Sequence, residues 1–264
     1  MSMNEDITEV PVEEHKRYWH GYGITCYTLS NQLDASQSEK GVEKNLRFVT
    51  IFDLPGRSEV DTGSDNIQHN PLLVLMRNPA NIIDKSGQYQ VPNTIINLVQ
   101  RLRKYEYTRL IVINSLPFVT SDIRAMKQGA LCRYFGIKNT GAVKDVLEDT
   151  QYKKAISLNE KVVRDFLANK LNRTFDVLLA VGTFKGMAFS MGTCNTLVEM
   201  IRNSGNFSGN FSVLSPSENG GSDHFPLGSH PNSGLLLSKT SIDNGKPALT
   251  KVRSLLVVTN VQRC

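Results

Sequence analysis

Apolar residues in this 264-residue chain are grouped into short runs that suggest buried strands. From Pro71 onward the runs are LLVLMR, RLIVIN, DVLLAV and FSVL, and each is almost continuously apolar. A strand has this composition when other elements cover both of its faces, as in a parallel sheet. The pattern therefore predicts four buried strands in the chain after Pro71.

Helical patterns lie between the apolar runs. The segment TIINLVQRLRKY is amphipathic, and Asn93 or Thr94 could cap its amino end. A second amphipathic segment, NEKVVRDFLANKL, predicts a helix that starts near Asn159. Strands that alternate with helices in this way predict an α/β fold, with a mostly parallel, four-stranded central sheet and helices on both of its faces.

The chain before Pro71 has a different pattern. Residues 1–16 are polar and acidic, and we expect a flexible leader there. Two aromatic and β-branched runs, RYWHGYGITCYTL and LRFVTIF, predict antiparallel strands. The predicted organisation is the leader, an N-terminal extension (17–70) packed on the core, and an α/β domain (71–264) that resembles none of the repeat architectures.

Composition and charge narrow the class of protein. No apolar run approaches the roughly 18 residues that span a bilayer, so the sequence predicts no membrane segment. The four cysteines lack C-x-x-C spacing, which favours a reducing, cytoplasmic location. Thirty Lys and Arg against twenty-five Asp and Glu give a net charge of +5, which permits a polyanionic partner such as DNA.

Three familiar catalytic motifs are missing from the sequence. It contains no G-x-x-x-x-G-K-[ST], no G-x-G-x-x-G after a strand and no H-E-x-x-H. Their absence argues against phosphate-loop, dinucleotide and zinc-protease chemistry.

Polar residues follow each predicted strand at its carboxyl end. The first strand runs into residues 77–80, the second into Asn114-Ser115, the third into Gly182-Thr183 and the fourth into the loop that Ser215 opens. In open α/β sheets the ligand site forms in the crevice at the carboxyl ends of the strands. We expect these polar strand ends to converge on one cleft.

The order of these segments resembles the uracil-DNA glycosylase superfamily. There, a Gly-x-Asp-Pro-Tyr or Gly-x-Asn-Pro loop follows the first core strand, an Asn ends the second, a Gly turn follows the third and a His-Pro-Ser-Pro-Leu loop follows the fourth. This chain has LMRNPAN, RLIVINS, DVLLAVG and SVL…GSHPNSGL in the same order across residues 71–236. A less characterised bacterial group with Asn-Pro, a strand-end Asn and a terminal His-Pro is similar in the same way, and these motifs do not separate the two.

The resemblance implies a DNA glycosylase that flips a base out of the helix, excises it and leaves an abasic site. Such an enzyme is expected to need neither a metal nor an organic cofactor, because the pocket supplies the electrostatics. His230 would donate a hydrogen bond to the departing base, and Asn114 would pair with its Watson–Crick edge. His224 competes with His230 for the pocket position. Asn78 would place the attacking water, and Asp84 could supply the carboxylate that the most active family members carry in place of Asn78.

Departures from the family pattern suggest a substrate other than plain uracil. Ala80 stands where the uracil-specific branch has a Tyr that blocks groups on the 5-carbon of a pyrimidine. We therefore expect a 5-substituted pyrimidine, of the kind found in viral DNA, and a role in defence against phage. Pro79, Ser115 and Tyr89 complete the predicted base-binding set, with Tyr89 as an aromatic platform.

The segment after His-Pro also departs from the family, because Asn232-Ser233-Gly234-Leu235 replaces Ser-Pro-Leu-Ser, and Val181 replaces a Trp before the third-strand Gly. Leu235 would fill the gap that the flipped nucleotide leaves. Asn232, Ser233 and Ser215 are expected to contact the DNA, and we expect the protein to act as a monomer.

Each of these residues also has a purely structural interpretation. Asn78-Pro79 is a common turn dipeptide, Asn114 could satisfy loop backbone groups, and Leu235 could belong to the core. Two other functions fit the same cleft. One is hydrolysis of free modified nucleotides, and the other is non-catalytic binding of modified bases.

Overall fold

The computed structural model describes residues 13–19, 24–32, 45–54, 70–80, 91–102, 105, 107–120, 127–134, 143–182, 188–214 and 249–251. The strands are β1 (Glu13–Trp19), β2 (Ile24–Gln32), β3 (Asn45–Asp53), β4 (Pro71–Met76), β5 (Arg109–Asn114), β6 (Phe175–Leu179), β7 (Phe207–Leu214) and β8 (Leu249–Lys251). The helices are α1 (Asn93–Arg101), α2 (Gln128–Tyr134), α3 (Val143–Glu148), α4 (Thr150–Asn169) and α5 (Met191–Arg202).

Within the described residues the strands form one mixed sheet in the order β1-β2-β3-β5-β4-β6-β7-β8. The pairs β4–β5, β4–β6 and β6–β7 are parallel, whereas β1–β2, β2–β3, β3–β5 and β7–β8 are antiparallel. Helices connect the parallel strands, as parallel pairing requires. The predicted α/β class is confirmed.

Both faces of β4 and β5 are buried, which explains their continuous apolar sequences. Leu73, Leu75, Ile111 and Ile113 belong to a cluster with residues of α4 and α5. Their neighbours Leu72, Val74, Leu110 and Val112 pack with residues of α1 on the opposite face. Burial of each such side chain contributes about 1.5–3 kcal/mol to the free energy of folding. These two strands therefore supply a large part of the stability of the fold.

The arrangement of the connections places a crevice at the carboxyl ends of β4 and β6. These strands are neighbours, but the connection after β4 passes through α1 on one face and the connection after β6 passes through α5 on the other. Connections that diverge in this way leave a gap between the strand ends, where ligands of α/β proteins bind. The candidate site is therefore expected at this edge, which we call the carboxyl edge.

The structure corrects two details of the helix predictions. Helix α4 begins at Thr150, nine residues before the predicted start, because Asp149 caps it by accepting a hydrogen bond from the Tyr152 main-chain nitrogen at 2.8 Å. Pro92 occupies the cap position of α1, without a side-chain hydrogen bond. The predicted cap at Asn93 or Thr94 is therefore wrong.

The N-terminal strands join the same sheet, since β3 pairs with β5. Strand β1 begins at Glu13, inside the segment expected to be a leader. The division into a leader, an extension and an α/β domain stays a prediction. Among the helices that the structure describes, none has the length and apolar character to cross a membrane.

Candidate functional site

Two chain segments leave β4 and β5 side by side at the carboxyl edge. Met76 and Asn114 are paired in the ladder, so the two strands end level with each other. The Ser115 nitrogen then donates to the Met76 carbonyl at 2.9 Å, and the Leu116 nitrogen donates to the Arg77 carbonyl at 2.7 Å. The predicted residues of both strand ends are thus brought together.

The Asn78-Pro79-Ala80 turn is held in place by side-chain hydrogen bonds. The half-buried Asn78 donates from Nδ2 to the carbonyls of Thr120 at 3.0 Å and Pro79 at 3.3 Å. The Ala80 carbonyl accepts from Nη1 of Arg47 at 2.8 Å. Because the Asn78 amide nitrogen is engaged in the turn, Oδ1 is the atom with which this residue could orient a water.

Asn114, the last residue of β5, is buried with its side chain unsatisfied. Its relative exposure is 1%, and in the described structure neither Nδ2 nor Oδ1 forms a hydrogen bond. A buried polar group without a partner costs about 1–3 kcal/mol. The side chain does not satisfy loop backbone groups, so the structural interpretation of Asn114 loses its support.

The carbonyl of Asn114 does have a partner, which the sequence analysis missed. Asn159 of α4 is fully buried, and its Nδ2 donates to the Asn114 carbonyl oxygen at 2.8 Å. The signal in the sequence is an asparagine on the buried face of an amphipathic helix, between Ala155 and Val162. The sequence pattern places the start of the helix near Asn159, and a residue at a helix start gives no signal of burial.

The amino-terminal half of helix α4 contacts the segment that follows β5. Residues 150–158 precede Asn159, which contacts the last residue of β5, and they span about 14 Å along the helix axis at 1.5 Å per residue. The Tyr152 ring packs on Phe118 with 6.0 Å between centroids and meets Phe189 edge-on at 6.3 Å. Burial raises the pKa of Tyr152 to about 12, so its hydroxyl stays protonated at neutral pH.

Ser115 is engaged inside the protein. Its hydroxyl donates to the Arg77 carbonyl at 3.1 Å and also hydrogen-bonds Cys194 of α5. Burial raises the pKa of Cys194 to about 11, although the Ser115 hydrogen bond and the Arg77 charge act in the opposite direction. Burial also lowers the pKa of Arg77. The three residues link β4, β5 and α5 below the crevice.

The end of β6 contains the predicted glycine turn. Gly182 has a φ of 83°, a conformation that residues with a Cβ rarely adopt. The preceding Val181 is fully buried in the core with the residues of α4 and α5. The third strand therefore turns sharply at the same edge as Asn78 and Asn114.

The remaining predicted site residues lie outside the described residues: His230, His224, Asp84, Tyr89, Leu235, Asn232, Ser233 and Ser215. The structure brings together five of the predicted residues at adjacent strand ends: Asn78, Pro79, Ala80, Asn114 and Ser115. In the part of the chain that is described, no group of three or more His, Cys, Asp or Glu residues is placed to hold a metal.

A groove of about 850 Å³ lies at the opposite end of the parallel strands, which we call the amino edge. The carboxyl-terminal halves of α4 and α5 and the turn before β7 form its walls, with Arg164, Glu199 and Arg202 among the lining residues. Arg202 and Glu199 are paired at 2.6 Å. Because the amino edge is far from Asn114, this groove is not the predicted cleft.

Comparison with known proteins adds no relative to this description. No family model matches the chain, and no curated protein and no solved structure match it. The functional interpretation therefore depends on the motif order and on the geometry of the carboxyl edge.

Proposed function

We propose that the protein is a DNA glycosylase that binds an extruded pyrimidine in the crevice at the carboxyl edge and hydrolyses its N-glycosidic bond. The observation that carries the proposal is the buried, unsatisfied carboxamide of Asn114. A carboxamide presents one donor group and one acceptor group side by side. The Watson–Crick edge of a flipped base presents the complementary pair.

The energetics favour a ligand as the partner of Asn114. Two unsatisfied atoms at about 1–3 kcal/mol each are a large cost for a domain whose net stability is about 5–15 kcal/mol. A leucine at this position would fill a similar volume without that cost. A base that hydrogen-bonds the carboxamide would recover it, and a site of this kind discriminates strongly against ligands that lack the matching groups.

The proposed chemistry divides bond cleavage among three groups. The base leaves with negative charge, and His230 would stabilise that charge by donating a hydrogen bond. Asn78 would orient the water through Oδ1, since Nδ2 is bound in the turn. A carboxamide takes no proton, so we expect slow chemistry or a base that departs readily, unless Asp84 acts as the general base.

The proposed substrate is a 5-substituted pyrimidine in DNA, and the proposed role is intracellular defence against phage with modified DNA. Ala80 supports this substrate, because its small side chain lies on a turn whose main chain is fixed by Arg47. On the proposed resemblance, this turn would leave free the space that a tyrosine fills in the uracil-specific branch. The substituent on the 5-carbon would occupy that space.

The test is to incubate the protein with single- and double-stranded oligonucleotides that carry uracil, 5-hydroxymethyluracil, 5-methylcytosine or 5-hydroxymethylcytosine. We expect free base, detected by mass spectrometry, together with alkali-labile sites in the DNA. Release from mononucleotides alone would replace the proposal with nucleotide hydrolysis. Faster release from uracil DNA than from every 5-substituted DNA would defeat the substrate assignment.

A non-catalytic base-binding module is the second candidate. The observation that favours it is that Asn78 uses its amide nitrogen within the turn. In the superfamily that the sequence resembles, the most active members have an aspartate in place of this asparagine. Such a module would bind modified oligonucleotides tightly and produce no alkali-labile sites. The same incubation therefore separates it from a glycosylase.

A further inference from the structure

The ladder between β3 and β5 is interrupted at Asn114. Its last regular pair is Val49 with Ile113, and the next contact between the two segments joins Leu46 to Phe118. Between these two contacts the chain advances three residues on the β3 side (49 to 46) and five on the β5 side (113 to 118). Extra residues on one strand interrupt the pairing, as in a β-bulge. The main chain that follows Ile113 therefore leaves the hydrogen-bonding pattern of β3.

Asn159 supplies the partner for the Asn114 carbonyl at this interruption. Successive residues of a strand direct their main-chain groups to alternate neighbours, and the Ser115 nitrogen donates to Met76 of β4 at 2.9 Å. The Asn114 carbonyl therefore points to the β3 side. Helix α4 packs on β3, and Nδ2 of Asn159 donates to this carbonyl at 2.8 Å. The peptide group between Asn114 and Ser115 is thus held both at its oxygen and at its nitrogen.

The Asn114 carboxamide lies on the other face of the sheet. Side chains alternate along a strand, so Asn114 shares the face of Val112 and α1, and its ladder partner Met76 belongs to the same cluster as Val112. Asn159 approaches from the face of α4, where the proposed base does not lie. Any effect of Asn159 on that base would pass through the main chain of Asn114.

Stability alone gives little reason for an asparagine at this buried position. Asn159 is fully buried on the apolar side of α4, and within the described structure its Oδ1 has no hydrogen-bond partner. An unsatisfied buried oxygen costs at least as much as one hydrogen bond contributes, so it offsets the bond that Nδ2 makes. The hydrogen bond from Nδ2 does, however, fix the orientation of the Asn114 peptide group.

We propose that Asn159 is a positioning residue, which holds the Asn114 peptide group so that the carboxamide on the opposite face keeps the orientation that the base requires. This inference rests on the proposed base-binding function of Asn114. A misplacement of about 1 Å can lower a rate about a hundredfold. Asn159→Leu removes one of the two hydrogen bonds that hold this peptide group, so we expect base release to fall by about tenfold.

The experiment is a double-mutant cycle between Asn159→Leu and Asn114→Leu. Base release is measured on the modified oligonucleotide from which the wild-type protein releases base fastest. If Asn159 acts through Asn114, then Asn159→Leu lowers release about tenfold in the wild-type protein and has no further effect in the Asn114→Leu protein. An equal loss in both proteins overturns the inference. If release by Asn114→Leu is below detection, the same cycle is measured on the dissociation constant of a cleavage-resistant 2′-fluoro analogue.

Asn206 provides a matched control at the amino edge. Its Nδ2 also donates to a main-chain carbonyl, that of Leu171, at 2.6 Å. Asn206→Leu should lower the melting temperature and leave base release per folded molecule unchanged. Asn159→Ala removes the same donor as Asn159→Leu without adding bulk, so it repeats the test if the leucine variant fails to fold.

The outcomes separate the inference from the proposed function. If the wild-type protein releases base and the folded Asn159 variants release it equally fast, the inference is overturned and the glycosylase proposal stays intact. A wild-type protein that neither binds nor cleaves any of these oligonucleotides refutes the proposed function, and the inference with it.

Discussion

Two sets of polar side chains differ in how far their hydrogen bonds are satisfied: the half-buried Asp176 and its partners at the amino edge, and the buried Asn114 and Asn159 at the carboxyl edge. At the amino edge Asp176 accepts hydrogen bonds from the hydroxyls of Tyr107 at 3.0 Å and Ser208 at 2.5 Å. At the carboxyl edge Asn114 and Asn159 leave three buried polar atoms without partners. Yet the large open groove is at the amino edge. The two edges therefore offer different criteria for a binding site, unsatisfied hydrogen bonds at the carboxyl edge and cavity volume at the amino edge, and the proposed function follows the first.

The largest expected effect is on the proposed base release at the carboxyl edge. Asn114→Leu keeps the side-chain volume and removes both unsatisfied atoms, so the free energy of unfolding should stay the same or rise. Base release should fall on the order of a hundredfold or more, because the base loses its hydrogen-bond partner. His230→Ala should cause a similar loss. Unchanged release rates in both variants, with folding verified by circular dichroism, would remove the carboxyl edge as the active site.

The second prediction concerns stability at the amino edge, where removal of an acceptor leaves two hydroxyl groups unsatisfied. Asp176→Ala leaves the hydroxyls of Tyr107 and Ser208 without their acceptor, so the free energy of unfolding should fall by about 2 kcal/mol. Urea denaturation measures this change. Base release per folded molecule should be unaffected. If Asp176→Ala lowered base release and left the free energy of unfolding unchanged, then the amino edge would also act in base release. The comparison between the two edges would then be wrong.

A third, smaller effect is expected in alkali. Burial raises the pKa of Cys194 from 9.0 to about 11 and that of Tyr152 from 10.0 to about 12. Between these values the unfolded chain loses protons that the folded chain keeps. Stability is therefore fully present below about pH 9 and decreases as the pH rises toward 12.

Denaturation curves recorded at several pH values measure this decrease. The pKa of Tyr107 at the amino edge is also raised, by burial and by Asp176, so this residue contributes as well. Cys194→Ala and Tyr107→Phe should each make the decrease shallower. If only Tyr107→Phe does so, then Cys194 at the carboxyl edge does not titrate in this way.

The smallest effect concerns an ion pair at the amino edge. Arg109 contacts both carboxylate oxygens of Asp53, at 2.6 and 3.1 Å, but both side chains are about a quarter exposed. Solvent screens such pairs, so a double-mutant cycle with alanine at both positions should give a coupling of about 0.2–1 kcal/mol. A coupling above this range would show that the pair is a main support of the β3–β5 interface.

Much of the fold could be predicted because the local pattern determined it. LLVLMR and RLIVIN are strands β4 and β5, whose two covered faces give continuous apolar runs. The start of α4 could not be predicted, since Tyr152 and Ala155 are the buried residues of its first two turns, and Tyr152 packs on Phe118, which is distant in sequence. Asp149, which caps the helix, lies in a polar stretch of sequence in which several residues could cap a helix.

The candidate site likewise contains residues that the local sequence predicts and one residue that it does not. Asn78 and Asn114 could be predicted as neighbours, because polar residues at the ends of parallel strands meet at one edge. Asn159 could not, because its contact with Asn114 joins residues 45 positions apart in the chain. Its burial depends on how α4 lies across β5, which no local pattern specifies.

The antiparallel pairing of β3 with β5 has a consequence for anyone who wishes to shorten the protein. Five residue pairs join the two strands, so removing everything before Pro71 would strip the hydrogen-bonding partner from one side of β5. An exposed apolar strand of this kind associates readily with other chains. Pro71 thus marks a change in sequence character, but a protein cut there should precipitate rather than yield a working minimal fragment.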